Sequence, residues 1–461
     1  MKPRILGAVL ALLLLSSAGV VAAARPAPRP PAELSNSFII TSFQDLEPQP
    51  IGGRSQTPCA YAVSRARAIG GKHFSIVATA YWRGGAGGVA GYAYKDTSDS
   101  YPNGHVFLDA DAATIARWKR GLQARGARRC GAAPGACFRA AVSSGFSGVQ
   151  ILNHIDDAEG VTWRNLVDFD PLARYGGVTY EDVVVRPAAD ALRTVTRPST
   201  KVWFMVAGEM GRSLFRHPGA YITLLTKYRG ALARGKVGAN VKVGLALHWN
   251  KVCGNCFPMP FTRTAQQYNA SYAPAFAAAR DYIKSSFDLP ALRRVFEVCD
   301  VLGVSHYAPM PTGSLNFASF ELPVMTTSYE LRLWGVDLRS LLLSTRRDFV
   351  FSELGLGGAA PDGRSAATDL ASLAEEAANG IWADPWRRAD FRDYRRRWFY
   401  NLLGFLRYGG SPNVKINAAF VWSVGSFDVA GVHPISSSPA GSYADPEIVS
   451  WMKRLSSFSV F

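Results

Sequence analysis

Eight short runs of β-branched and aromatic residues, spaced by longer helical patterns, constrain this chain more than any other feature. They are Phe38 to Phe43, Phe74 to Ala80, Gly148 to Asn153, Val202 to Ala207, Val243 to His248, Val301 to His306, Phe349 to Ser352 and Ala418 to Trp422. Each run is almost continuously apolar, as expected of a strand covered on both faces. Alternation of such runs with helical stretches marks parallel βαβ units. Between them, Ala112 to Ala124 carries Ile115, Trp118 and Leu122 on one helical face, and Tyr180 to Leu192 and Tyr221 to Leu232 are similar. Residues 389–408 place Phe391, Tyr394, Trp398, Leu402 and Phe405 on one side and arginines on the other. That stripe predicts a helix packed on the sheet rather than a platform for a sugar.

Eight such repeats predict a closed (β/α)8 TIM barrel of the α/β class, one domain over residues 35–461 with long βα loops. The alternative is an open doubly wound sheet, which would follow its first strand with a Gly-rich phosphate turn; Ser42-Phe43-Gln44-Asp45-Leu46 is not one. Arg83-Gly84-Gly85-Ala86-Gly87-Gly88 follows the second strand, but no helix begins directly after it, so it reads as a loop. The chain is 48% hydrophobic and 19% charged, which supplies a large core and excludes wholesale disorder.

Ahead of the barrel lies a targeting pattern: Lys2 and Arg4, an apolar run from Leu6 to Val21, then the small residues Ala22-Ala23-Ala24. It predicts a signal peptide over 1–24 rather than a membrane anchor, followed by a Pro-rich leader over 25–34. No later stretch is apolar enough to span a bilayer. A secreted monomer, extracellular or in the cell wall, is the expectation.

Six cysteines behind a signal peptide point to disulfides. Cys130 and Cys137 flank a short Pro- and Gly-containing loop and are the expected local pair. Cys253-Gly-Asn-Cys256 is expected to staple a loop, leaving Cys59 with Cys299 by elimination. Asn269-Ala270-Ser271 is an N-x-S acceptor. The formal charge of +16 is spread along the chain; it reads as a basic solvated surface or as affinity for an anionic polysaccharide. Export and the lack of any nucleic-acid-binding motif argue against a nucleic-acid partner.

The longest connections follow strand ends, at 81–108, 154–178, 249–265, 307–328 and 425–445, which in a barrel gathers them at the face where active sites sit. Several strands also end in polar or aromatic residues that packing does not require. The third ends Asn153-His154, with Asp156 and Asp157 beyond, and the fourth Gly208-Glu209. The fifth ends His248-Trp249-Asn250, the sixth His306-Tyr307, the seventh Ser352-Glu353 and the eighth Trp422-Ser423. Glutamates after strands four and seven lie on opposite sides of an eight-stranded ring. Their carboxyls can therefore act as a pair, one protonating a leaving oxygen while the other attacks the anomeric carbon or activates water. A separation of about 5 Å favours the covalent retaining route.

The joint order of these strand ends resembles clan A of the glycoside hydrolases, carried by Phe349-Val-Phe-Ser-Glu353-Leu-Gly, Asp300-Val-Leu-Gly-Val-Ser-His-Tyr307 and Ala419-Phe-Val-Trp422-Ser. The resemblance implies a retaining O-glycosidase acting on a poly- or oligosaccharide, with neither cofactor nor metal. It assigns Glu353 as nucleophile, Glu209 as acid/base, Tyr307 as a hydrogen-bond donor to the nucleophile and Trp422 as the floor of the sugar subsite. The sequence departs from the clan at Gly208, where Asn usually contacts the sugar 2-hydroxyl; His154, Asn153 or Asn250 are the candidate substitutes. His248 and Trp82, with Tyr81, complete the candidate substrate contacts. Two other readings remain: a carbohydrate-binding barrel that has lost activity, motivated by Gly208, and a metal-dependent hydrolase using His154, His248 and His306 with Asp156 or Asp157.

Overall fold

A computed structural model of the chain describes residues 32–85, 88–97, 105–123, 137–195, 199–233, 240–258, 265–344, 347–356, 367–374, 384–411, 414–434 and 443–457. Residues 1–31, which hold the expected signal peptide and most of the expected leader, lie outside the described residues, as do Cys130 and 86–87 of the glycine run.

All eight expected strands form. They are β1 (Glu33–Ile40), β2 (His73–Arg83), β3 (Gly148–Asp157), β4 (Lys201–Gly208), β5 (Val241–His248), β6 (Val301–His306), β7 (Asp348–Leu354) and β8 (Ala418–Val421). Each pairs in parallel with its sequence neighbours, and β1 pairs with both β8 and β2, which closes the ring. The chain is a (β/α)8 barrel. β1 begins at Glu33, and Ala32 just ahead of it is already buried, its N–H bonding the Leu406 carbonyl at 2.8 Å. Two short antiparallel strands, Gly91–Lys95 and Phe107–Asp109, extend the sheet from the far end of β2.

Two packed layers follow from this closure. Inside the ring, Ile39, Val77, Leu152, Trp203, Met205, Ala246, Val301, Val350, Ala418 and Phe420 form one cluster to which every strand contributes. Strand side chains alternate between faces, so the intervening residues point outward and join the larger cluster beneath the helices. Gln150 spans the interior, donating to Ser75 Oγ at 2.7 Å and to the Ser352 carbonyl at 3.0 Å. At the N-terminal end of the ring, Asp348 accepts from Trp203 Nε1 and Lys242 Nζ and pairs with Lys201 Nζ, each at 2.7 Å, which satisfies its buried charge.

The helical patterns also form, the longest being Ala389–Arg407, whose Phe391, Tyr394, Trp398, Leu402 and Phe405 are buried as packing residues. One arginine on this helix breaks the expected polar face. Arg395 is buried, stacks over Trp386 and donates to the Tyr443 and Ser426 carbonyls, so it ties the connection beyond β8 to the helix. No helix among the described residues is long and apolar enough to cross a membrane.

The disulfides correct the expected connectivity. Cys137 bonds Cys59, with Cα atoms 5.2 Å apart, joining the helices Pro58–Ala68 (α1) and Cys137–Ser143 (α2). Neither Cys130–Cys137 nor Cys59–Cys299 forms, because α1 and α2 pack side by side and bring Cys59 to Cys137. Cys299 is free and buried, its thiol pushed up to about 12 by burial. Cys253–Cys256 is the loop staple the sequence predicts.

Candidate active site

The C-terminal mouth of the ring is irregular where the chemistry gathers. Strand register shifts between Met205 and Gly208, between Val304 and Ser305, and between Phe351 and Leu354. Such bulges re-aim side chains, and these flank Glu209 and Glu353. Glu209 leaves β4 with φ 54°, a left-handed conformation that costs a non-glycine residue about 1–3 kcal/mol, while its N–H bonds the Ala246 carbonyl at 2.9 Å. Both glutamates are buried, 4% and 3% exposed, so neither is a solvated loop carboxylate.

Gly208 has a steric reason. A Cβ there would lie 2.5 Å from the His154 ring and 2.8 Å from Leu152 Cδ1. His154 thus fills the space beside β4 that an Asn side chain would need, and its Nε2 stands 2.9 Å from Glu353 Oε1. Burial first, and the Arg164 charge second, push His154 down to about 3, so its ring is neutral at working pH. Tyr307 Oη donates to the other Glu353 oxygen at 3.0 Å, the bond the sequence predicts. Gly355 leaves room for Phe427 against Tyr307: a Cβ there would meet the Phe427 ring at 2.3 Å.

On the other glutamate stand two residues that the sequence reading missed. Arg164 Nη1 and Trp163 Nε1 donate to Glu209 Oε2 at 2.7 and 3.2 Å. The remaining side of the Arg164 guanidinium faces Asp156, with Nε and Nη2 at 2.9 and 2.7 Å from Oδ1. Asn165 anchors this turn by donating to the Lys251 carbonyl and accepting from Gly211 N–H at 2.6 Å. Buried Glu330 holds the next loop through the N–H groups of Lys251 and Val252, both at 2.8 Å. The sequence signal was limited to a long loop after β3 holding an aromatic–basic pair.

Electrostatics pull the two carboxyls in opposite directions. Burial and the negative charge of Glu209 hold Glu353 well above the ordinary glutamate range, against the counter-pull of Arg164 and Tyr307. Burial also opposes ionisation of Glu209, but the groups around it, His248 and Arg164 foremost, outweigh it and hold that carboxyl below the ordinary range.

The other candidates divide between mouth and wall. His248 sits at the mouth edge-on to Trp163, its Nδ1 2.8 Å from Asn250 Oδ1. Trp422 is half-buried, its ring centre 6.0 Å from that of His154. Asn153 takes the face opposite His154 and donates to the Met205 carbonyl, so it belongs to the barrel wall and cannot replace the missing Asn. Trp82 is wholly buried in the outer cluster and offers no sugar platform; Tyr81 packs against Phe107 under the Lys95 ammonium. His306 also points outward, among Phe320, Phe351 and Trp398. Asp157 accepts from the N–H groups of Glu159, Val161 and Thr162 as a loop cap. The proposed three-histidine metal set therefore does not converge, and no group of three or more metal-ligating side chains occurs among the described residues.

No protein-family model matches the chain, and no curated protein matches it. Among solved structures, 92% of the chain is similar to 99% of a GH113 beta-1,4-mannanase, at 11% identity and a TM-score of 0.43. Another 86% match covers 90% of beta-glucosidase 2 from the fungus Trichoderma reesei, at 12% identity and a TM-score of 0.39. A fungal beta-1,4-galactanase is similar over 91% of this chain and 99% of its own, at 11% identity and a TM-score of 0.36. These remote likenesses carry no argument about activity, which rests on the residues at the mouth.

Proposed function

We propose that this chain is an exported glycoside hydrolase that cleaves a poly- or oligosaccharide by a retaining, two-carboxylate mechanism. The observation that carries the reading is the burial of Glu209 and Glu353 at the mouth of one closed barrel, with Tyr307 donating to Glu353. Glu353 attacks the anomeric carbon and forms the glycosyl-enzyme bond while Glu209 gives its proton to the departing oxygen. Glu209, then ionised, takes a proton from the water that breaks that bond. Tyr307 orients the nucleophile, and Trp422, His248 and Asn250 line the sugar path. Two disulfides support export, since such bonds persist in oxidising compartments. The basic surface suits an anionic polysaccharide.

Screening polysaccharides and aryl glycosides with and without a chelator tests this reading against the alternatives. Turnover is expected and is expected to be chelator-insensitive. Glu353→Ala should lose it on every substrate. Glu209→Ala should lose it most on poor leaving groups, and azide should restore it with a glycosyl azide of retained configuration. The second reading, a binding barrel without turnover, is favoured by the ion pair that occupies Glu209. Tight sugar binding with no hydrolysis of even activated aryl glycosides would establish it instead.

A further inference from the structure

β2 runs on past the level of the glutamates, and what it carries there continues the wall of the mouth. Thr79 pairs with His154, which stands against Glu353, and Tyr81 pairs with Asp156, which holds Arg164. Arg83 closes the strand four residues beyond Thr79, about 13 Å farther along it at the usual strand rise. The strands Gly91–Lys95 and Phe107–Asp109 widen this end into a three-stranded platform. In it Ala93 pairs with both Tyr81 and Asp109, Arg83 with Gly91, and Lys95 with Phe107. Directly paired residues share a face of a sheet, so Tyr81, Arg83, Lys95, Phe107 and Asp109 stand on one face. Val77 has the same parity along β2 and belongs to the cluster inside the ring, so this face prolongs the inner wall. Around the ring, Glu209 after β4 and Glu353 on β7 leave β5 and β6 to one side and β8, β1, β2 and β3 to the other. His248 and Asn250 lie on the first side and the platform on the second.

The side chains of this face suit a sugar. Phe107 is half-buried and meets Tyr81 edge-on, with ring centres 4.9 Å apart. The Lys95 ammonium lies over both rings, 4.9 Å from the centre of Tyr81 and 5.7 Å from that of Phe107. Tyr81 and Lys95 are only 4% and 5% exposed, so they brace Phe107 rather than reach solvent themselves. Beside Phe107, Arg83 Nε donates to Asp109 Oδ1 at 2.9 Å and Arg83 Nη2 to the Phe107 carbonyl at 3.2 Å, while the Asp109 side chain is 81% exposed. A braced aromatic ring beside a guanidinium and a carboxylate matches a sugar ring, whose C–H face stacks and whose hydroxyls both donate and accept. We infer that this extension of β2 is a distal subsite, which holds a sugar unit of the substrate away from the scissile bond. Phe107 stacks on that unit, and Arg83 and Asp109 bond its hydroxyls. The substrate is then an extended glycan rather than a simple glycoside, crossing the glutamates from the β5 side to the β2 side. The inference rests on the carbohydrate reading of the mouth.

Affinity against chain length tests the subsite apart from turnover. Full-length Glu353→Gln protein is titrated calorimetrically with the dimers and hexamers of glucan, mannan, galactan and polygalacturonate. The hexamer of the sugar that binds should bind about tenfold or more tightly than its dimer, which is too short to reach from the glutamates to Phe107. Phe107→Ala in the same protein should weaken the hexamer about tenfold, the worth of one stacked ring, and move the dimer far less. Phe107→Trp should keep or strengthen hexamer binding. Asp109→Ala removes a side chain too exposed to hold the fold and should weaken the hexamer about threefold, so it decides the matter if Phe107→Ala does not fold. Tyr408→Ala, which removes an exposed aromatic ring at the end of the helix Ala389–Arg407, should change neither length. A hexamer no tighter than the dimer, or an increment that survives Phe107→Ala and Asp109→Ala, overturns the subsite and leaves the two-carboxylate reading standing. Equal loss at both lengths would mean that Phe107 shapes the mouth itself, and overturns it too, as does failure to bind any of these glycans. The expected increment in a parent protein that hydrolyses nothing upholds the subsite and sinks the glycosidase reading alone.

Discussion

Gly208 and His154 form a unit in which each residue's identity depends on the other. The backbone of β4 approaches the His154 ring so closely that any Cβ at 208 intrudes on it, and the ring in turn stands against Glu353. Gly208→Ala should therefore destabilise the protein by about 1–3 kcal/mol through overpacking. It should also push His154 off Glu353 and lower turnover. His154→Ala should lower turnover while opening space. Placed together, the two changes should cost less stability than their sum, with a coupling of about 1 kcal/mol, while activity stays low. Urea unfolding of both single variants and the double variant measures the coupling. Strict additivity would mean that the ring yields freely and that Gly208 has another cause, such as the left-handed turn of Glu209.

The same parity rule that places His154 explains what the sequence did and did not disclose at the level of elements. The eight strands were legible because each is covered on both faces and so reads as an apolar run. That continuity erases the period-two signal, so inward and outward residues look alike. His154 and Glu353 fall on the mouth side, whereas Asn153, Trp82 and His306 turn into the wall or the outer core. Arg164 was illegible for another reason: one loop arginine among many gains meaning only when the β3 loop folds over the end of β4. The cysteines show this most simply, since pairing depends on which helices lie side by side. Cys59–Cys137 closes 78 residues between α1 and α2, whereas Cys253–Cys256 closes a single turn. Loop-closure entropy then predicts that Cys59→Ser with Cys137→Ser costs about 2–5 kcal/mol, and that Cys253→Ser with Cys256→Ser costs distinctly less. Peptide mapping without reduction should recover the Cys59–Cys137 link. Urea midpoints in the reverse order would mean that the longer bridge constrains little beyond what packing already fixes.

Across the whole molecule, buried titratable groups set a stability profile with an acid edge. Burial holds His73 down to about 4, and His154 and His306 down to about 3, so all three are neutral in the folded protein. Their unfolded value is near 6.5, so between pH 6.5 and those folded values the unfolded chain binds more protons. Stability there falls as pH falls, by about 1.4 kcal/mol per pH unit per histidine. Buried carboxyls work in the opposite direction. Asp45, raised to about 6 by burial, and Glu33 and Glu353, also raised, take up protons in the folded state before they do in the unfolded one. Their penalty at neutral pH is relieved as pH falls toward the ordinary carboxylate range near 4, and there the relief ends. Asp348 and Asp445, held below the ordinary range despite burial by their cationic partners, then begin to lose their stabilising charge. The urea midpoint should therefore change little from pH 7 to about 5 and fall steeply between about 4 and 3. His306 permits a clean check because it lies in the outer core among Phe320, Phe351 and Trp398, away from the mouth. His306→Leu removes one of the protons taken up on acid unfolding and should make the descent shallower by one histidine's share. A variant that follows the parent slope through that interval would show that His306 is already protonated in the folded barrel and that its burial does not exclude the charge.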